Sequence, residues 1–433
     1  MKTLKTNQRI IILLILGLAL RLFLSIQTYS GDVNNHVSWG KDMITQGPSG
    51  IYEREFMSRY GTLTPTYPPI PLYLFTAGYY LYDVTYKTAW KLNLSYKIFP
   101  SRFIIFLEDQ DTLPAFLKLP GILADIALAY AIYLFCKKLY PGKRENLALL
   151  GSSLILFNPA FFYNSAYWGQ IEAIPLFFAV VSFYFFWYLD KPLEGALFFA
   201  LSLLTKQSMI IFIPVYGLTY LKKYGWNVSI KSFLPFLTTF VLLFLPFYPG
   251  GNLLTFPFTT YWNKIQTGSG SDYVVDHAFN FWSLTTGLGK IHDSLKLIVL
   301  SYQTWGYLLF GIALFVIVYK LFRSKKINAY IFTAALYLSG FASFLFLTRM
   351  HERYLEYALP FFLLISVKDK KMLYGFLFLS LFNFLNLYHN WWSPRIGIVE
   401  TMLSNVLVVN VLTLAAIGLF VSNLLKYHLG KLK

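Results

Sequence analysis

Thr348-Arg349-Met350-His351-Glu352-Arg353-Tyr354 sets two guanidiniums, an imidazole and a carboxylate between two long apolar runs, residues 329–347 and 355–367. An ionisable group at membrane depth costs about 2.5 to 3.5 kcal/mol on insertion scales, so such clusters persist where they meet a substrate, an ion or one another. The guanidinium fork fits phosphate oxygens, which makes Arg349, Arg353 and His351 candidates for gripping an anionic ligand. The same residues could instead satisfy themselves, with Glu352 neutralising one arginine and Tyr354 as an interfacial anchor.

Three other groups have the types and spacing for chemistry. Asp32 opens Asp32-Val33-Asn34-Asn35-His36 just past the first apolar run, where an aspartate can cap the next helix. A carboxylate held at a dry interface can also take the proton from an attacking hydroxyl, with His36 one turn later to orient it or the substrate. The pair could begin a metal site, but no third ligand is evident. In Phe157-Asn158-Pro159-Ala160-Phe161-Phe162-Tyr163-Asn164-Ser165-Ala166-Tyr167-Trp168-Gly169-Gln170-Ile171-Glu172, the Asn, Pro and Gly suit a turn. Trp168, Gln170 and Glu172 crowded together also offer what a sugar needs, an aromatic face for C–H contacts and polar groups for hydroxyls. Lys206, beside Gln207, either snorkels to an interface or contacts a phosphate.

The elements that position these residues follow from composition. With 56% hydrophobic and 13% charged residues over 433, the chain reads as an all-α polytopic membrane protein in which most apolar runs approach the length needed to cross about 30 Å of hydrocarbon. Residues 1–27 have the basic start and apolar core of a signal without a cleavage site, which predicts an uncleaved first helix. One cysteine, Cys136, rules out an internal disulfide. The net charge of +17 does not point to nucleic acid, because 21 of the 37 basic residues gather in short connections, as the positive-inside rule expects of cytoplasmic loops. Those connections include Lys2 and Lys5, Lys137 to Arg144, Lys222 to Lys231, Lys320 to Lys326, Lys368 to Lys371, and Lys426 to Lys433.

Keeping that parity requires Tyr67 to Asp83 to lie in the outer interface, as a helix opened by Pro68 and Pro69. It also requires Leu193 to Leu221 to break near Thr205-Lys206-Gln207. The expected architecture is one transmembrane bundle over residues 1–433 with about twelve spans and both termini inside. A long outer loop covers residues 30–111, carrying interfacial helices, and a second covers 249–292. Asp32, His36, the 158–172 stretch, Lys206, Gln207 and the 349–354 cluster then share one extracytoplasmic face and one pocket. The second loop, with Trp262, Tyr273, Asp276, His277 and Trp282, could close over an acceptor, and its Gly268-Ser269-Gly270-Ser271 run predicts mobility.

An aspartate just past span one, the Tyr-Pro-Pro helix start, the NPAFFYNSAYWGQIE stretch, the TKQ break and RMHERY, in that order, resemble the GT-C superfamily of integral-membrane glycosyltransferases over nearly the whole chain. The closest likeness is to prokaryotic relatives of the dolichyl-phosphate-mannose- and glucose-dependent enzymes. The resemblance implies a polyprenyl-phosphate-linked hexose donor, mannose slightly favoured, transferred with inversion at the outer face. It also implies an essential aspartate at Asp32 and a glycan, lipid or protein acceptor. Metal-dependent members carry a WWD-type motif where this chain has Trp391-Trp392-Ser393, so no metal and no cofactor is expected. Arg349, His351, Arg353 and Lys206 are then the expected phosphate ligands, and His36, Trp168, Gln170, Glu172, Gln207, Glu352 and Tyr354 the expected sugar and acceptor contacts. The alternative is a transporter or flippase of lipid-linked saccharide, which would favour repeated halves and polar groups near the midplane. The abundance of Lys, Ile, Phe, Tyr and Asn points to an AT-rich prokaryotic genome, hence a plasma-membrane location among lipid partners.

Overall fold

The computed structural model describes residues 6–141, 144–266 and 272–432. Lys2, Lys5, Lys143, Lys433 and the Gly268 to Ser271 run lie outside the described residues. In chain order the longer helices are α1 (Thr6–Ser25), α2 (Gly31–Gln46), α3 (Pro69–Ser95), α4 (Thr112–Leu139), α5 (Arg144–Leu156), α6 (Ala173–Tyr188) and α7 (Pro192–Leu203). They continue as α8 (Ile213–Phe244), α9 (Tyr302–Arg323), α10 (Ala329–Phe346), α11 (Tyr354–Ser366), α12 (Lys370–Trp391) and α13 (Val406–His428). Among the described residues, strand is limited to four two-residue pieces.

Among the described residues, eight helical stretches are long and apolar enough to cross a membrane, as a multi-pass membrane protein requires, and the shorter apolar helices α6, α7 and α11 accompany them. The long spans therefore number eight where about twelve was expected. The difference lies in helices such as α7, whose 12 residues reach only about 18 Å.

Two of the expected local breaks are present. Pro69 occupies the first turn of α3, where its missing N–H costs nothing. The helix then runs on past residue 83 to Ser95, helped by the Asp83–Lys87 pair one turn apart, Oδ2 to Nζ 2.6 Å. Between α7 and α8 the chain leaves helical geometry at Lys206, φ −149° and ψ 125°, before a tight turn over Gln207–Phe212. The basic connection after residue 221 contracts to a reversal inside α8 at Gly225, whose φ of 75° suits a residue without Cβ.

The centre of the bundle is the hairpin of α10 and α11. Ala329, Phe332 to Leu345 and Leu355 to Ser366 are all buried, so these helices are apolar on every side because every side meets protein. Their connection carries residues 347–353, which puts the charged cluster at the tip of the most enclosed element.

Buried polar groups fasten α1, α4 and α5 beside that tip. Arg21 places Nε 2.8 Å from Asp125 Oδ2 and Nη1 2.7 Å from the Leu156 carbonyl, and Ser165 donates to the same Asp125 oxygen. Lys118 of α4 donates to the carbonyls of Ser25 at 2.9 Å and Tyr167 at 3.1 Å, and to that of Thr28. The end of α1, which delivers Asp32, is thereby tied to the stretch that delivers Gln170.

Candidate functional site

Asp32 enters from the first turn of α2. Gln170 and Glu172 come from a broken connection between α5 and α6. There Asn158 caps a short helix by accepting from Ala160 N–H at 3.0 Å, a wide π-type turn follows over Tyr163–Trp168, and Gly169 stops it at φ 96°. That glycine packs where a Cβ would run into Val33 of α2, so the turn and α2 are held in close register. Lys206 comes from the α7–α8 break, and Glu352, Arg353 and Tyr354 from the tip of the α10–α11 hairpin.

These residues, drawn from more than 300 positions of sequence, meet in one cluster, with Asp32 and Tyr354 half-buried and the others buried. Gln170 Nε2 donates to Asp32 Oδ2. Lys206 Nζ pairs with Glu172 Oε1, which also accepts from Arg353 Nε at 3.2 Å, while Arg353 Nη1 donates to Glu352 Oε1 at 2.7 Å. The Lys206 ammonium lies between two aromatic faces, 5.2 Å from the Tyr67 ring centre and 5.4 Å from that of Tyr354. Asn164 Nδ2 bridges Glu172 Oε2 and Glu356 Oε2. Glu352 answering Arg353 is the self-satisfying pair the sequence allowed for, and the reach of Arg353 to Glu172 extends it into a network.

Charge is distributed unevenly in this network. Burial would raise the Asp32 carboxyl, but Arg353 foremost, with Gln170 and Lys206, holds it below the usual carboxylate range. Glu172 is likewise held low, Lys206 and Arg353 overcoming the penalty of burial. Glu352 goes the other way, because burial pushes it up further than Arg353 pulls it down. His36 is shifted down to about 4 by burial and stacks on Phe75 at 4.0 Å between ring centres, so it is neutral at neutral pH. Asp32 is the ionised carboxylate of the cluster with no ion pair within 4.0 Å among the described residues. Gln170 Oε1 and Glu352 Oε2 are buried acceptors with no hydrogen-bond partner among the described residues, with His351 Nδ1 4.0 Å from the latter.

The remaining candidates stand elsewhere. Arg349 leaves the cluster: at φ 62° it turns to the second loop, Nε 2.7 Å from Asp293 Oδ2 and Nη1 2.8 Å from Asp272 Oδ1. His351 follows it, with Nδ1 3.4 Å from Asp276 Oδ2, and Val275–Asp276 pairs in parallel with Met350–His351. The described part of the second loop thus sits on the hairpin tip, and its Trp282 is buried with Nε1 2.7 Å from the Phe346 carbonyl. Trp168 turns into an aromatic core, stacked on Trp391 at 5.6 Å, and is not brought to the Asp32 cluster.

Arg349, His351, Tyr354, Gln207 and Ser208 border a cleft of about 180 Å³. Ile210 lines this cleft and also a separate apolar groove of about 450 Å³ walled by Ile213, Phe236, Phe240 and Tyr261. Among the described residues no three His, Cys, Asp or Glu side chains gather as metal ligands.

Sequence reasoning missed Tyr67 as a cluster member, Asn164 and Glu356 as its second layer, and Asp272 and Asp293 as the partners of Arg349. Tyr67 had a readable signal in its place before Pro68-Pro69, and Asn164 lay inside the stretch already singled out. The aspartates had none, being at least 56 residues from the arginine they hold.

No protein-family model matches the chain, and no curated protein matches it either.

Proposed function

We propose that this chain is an inverting membrane hexosyltransferase of the GT-C type, drawing its sugar from a polyprenyl-phosphate-linked donor. The observation that carries the reading is Asp32, an ionised carboxylate free of ion pairs among the described residues, held by Gln170 and faced by Arg353 and Lys206. It is in the protonation state a general base needs. Asp32 takes the proton of an acceptor hydroxyl, whose oxygen attacks the anomeric carbon. The bond from that carbon to the donor phosphate oxygen breaks, and its electron pair leaves with the lipid phosphate. Gln170 Oε1 and Glu352 Oε2, which accept no hydrogen bond among the described residues, are suited to receive sugar or acceptor hydroxyls.

Lys206 and Arg353, both beside the Tyr354 ring that borders the cleft, supply the positive field suited to stabilise the departing phosphate. The apolar groove that shares Ile210 with this cleft is suited to a donor that is part lipid. A transporter is less well supported, because the ionised groups gather at a hairpin tip instead of at mid-span.

The test is transfer of labelled hexose from a short synthetic polyprenyl phosphate sugar by the purified protein. Asp32→Asn is expected to lower kcat by about 10²- to 10⁴-fold with KM for the donor little changed. Undiminished transfer in the variant removes Asp32 as base. Absence of transfer with every hexose donor, together with passage of labelled lipid across vesicles, replaces the enzyme by a transporter.

A further inference from the structure

The far end of the α10–α11 hairpin holds a second feature that the Asp32 chemistry leaves unused. The 18 residues of α10 put it about 27 Å from the Arg349–Tyr354 tip. There the ends of α4, α9 and α11, the start of α10 and the C-terminal turn at Tyr427 to Leu432 enclose a cavity of about 800 Å³. Its floor is apolar, including Leu139, Ile331, Ala334 and Ile365, and its rim carries Lys320, Lys325, Lys326 and Lys368 against a single carboxylate, Asp369.

That carboxylate is committed, because Asp369 Oδ1 accepts from the Met372 N–H at 2.9 Å to cap α12. Lys320 is partly committed too, its Nζ 2.8 Å from the His428 carbonyl. Lys325, Lys326 and Lys368 make no ion pair among the described residues. Lys368 lies over the Tyr140 ring, 6.0 Å from its centre, with its ammonium toward the cavity wall.

Two ordinary duties could explain lysines at this end, and both are already discharged. Satisfying the last carbonyls of α9 falls to Lys222, whose Nζ reaches those of Leu321, Phe322 and Ser324 at 3.1, 2.6 and 2.7 Å. Setting orientation requires basic residues in a connection, but does not require four of them to ring one cavity. The start of α10 adds to the positive field: Asn328, which lines the cavity, caps only the Ile331 N–H, and the helix dipole points its positive end there.

We propose that this cavity binds a phosphate ester, at the end of the molecule remote from Asp32. An apolar floor under a lysine rim fits a phosphate carried on an apolar body, as in an acidic phospholipid headgroup, and the same lysines would also take a soluble phosphate compound. The site does not depend on the transferase reading.

The experiment uses the full chain in nanodiscs of phosphatidylcholine, titrated either with phosphatidylglycerol or with soluble glycerol 3-phosphate, and reads ligand retained per protein by native mass spectrometry. Wild type is expected to retain one of the two, and Lys325→Gln/Lys326→Gln/Lys368→Gln to bind it about a hundredfold more weakly, at roughly fivefold per lysine. The triple arginine variant is expected to bind like wild type, which separates lost charge from lost structure. Retention of phosphatidylglycerol without competition by glycerol 3-phosphate identifies a lipid headgroup, and retention of glycerol 3-phosphate identifies a soluble ligand. Equal binding of both probes by wild type and the glutamine variant, or loss of binding in the arginine variant as well, overturns the site.

Discussion

Asp32 and His36 sit one turn apart on α2, and both are driven toward their deprotonated forms. For His36 the leading cause is burial among Phe75, Trp39 and Tyr67; for Asp32 the field of Arg353 prevails over burial. The consequence for stability can be worked out in sign. The unfolded imidazole takes a proton near 6.5 and the folded one at about 4, so between those values the unfolded chain binds more protons. Stability therefore falls as pH falls through that window, by up to about 1.4 kcal/mol per pH unit for one imidazole, and is flat above it. His351, partly buried and held well below its ordinary value by desolvation and the fields of Arg353 and Lys206, adds in the same sense. The thermal midpoint of the detergent-solubilised protein, followed from pH 7.5 to 4.5, is expected to drop less steeply in His36→Gln than in wild type. Equal slopes would remove His36 as a buried neutral imidazole. At this scale the sequence showed where charge was dense but not how it is paired. Arg349, His351 and Arg353 looked like one grip, yet the first two face the aspartates of the second loop while Arg353 faces Glu172, and no local spacing encodes partners so far away.

Helices reveal themselves where a residue leaves the chain few choices. Pro68-Pro69 marked the start of α3 and the TKQ break marked the gap between α7 and α8, since proline and a stranded lysine restrict the backbone or its depth. The end of α3 was hidden by the polar character of residues 84–95, which the helix tolerates on an exposed side. Single charges inside apolar runs were equally hard to read: Arg21 and Asp125 meet across 104 positions, and each alone resembles a tolerated exception. Both side chains of that pair are fully buried, and the two join α1 to α4 beneath Asp32. Arg21→Met is therefore expected to cost about 3 to 5 kcal/mol, because it strands the Asp125 carboxylate, and Arg21→Met/Asp125→Leu to recover most of that loss. Thermal midpoints of the three proteins by size-exclusion chromatography decide the matter. A double variant as weak as the single one would mean that packing of the arginine stem, not the charge pair, holds α1 in place.

For the molecule as a whole, the grouping of basic connections carried most of the sequence-level expectation about sidedness. The described part of that grouping is visible as convergence: residues 139–140, 320–326, 368–369 and 427–432 come together around one cavity, while Asp32, Lys206 and Arg353 meet at the other end of the central hairpin. Which end faces the cytoplasm is a separate question, and the charge rule gives a definite expectation, that the lysine-rimmed end is inside. The chain is well suited to the test because its one thiol, Cys136, is buried and leaves a quiet background. Ser58 lies exposed in the first loop and Lys326 lies exposed at the basic end. A membrane-impermeant maleimide should label Ser58→Cys in intact cells and label Lys326→Cys only after permeabilisation. The reverse pattern would place Asp32 and its cations on the cytoplasmic side. It would remove the outer-leaflet donor from the proposed chemistry while leaving the cluster's geometry untouched. Labelling of both positions in intact cells would mean that an even number of crossings lies between residues 58 and 326, so one of the short helices between them, α6 or α7, would have to be reassigned.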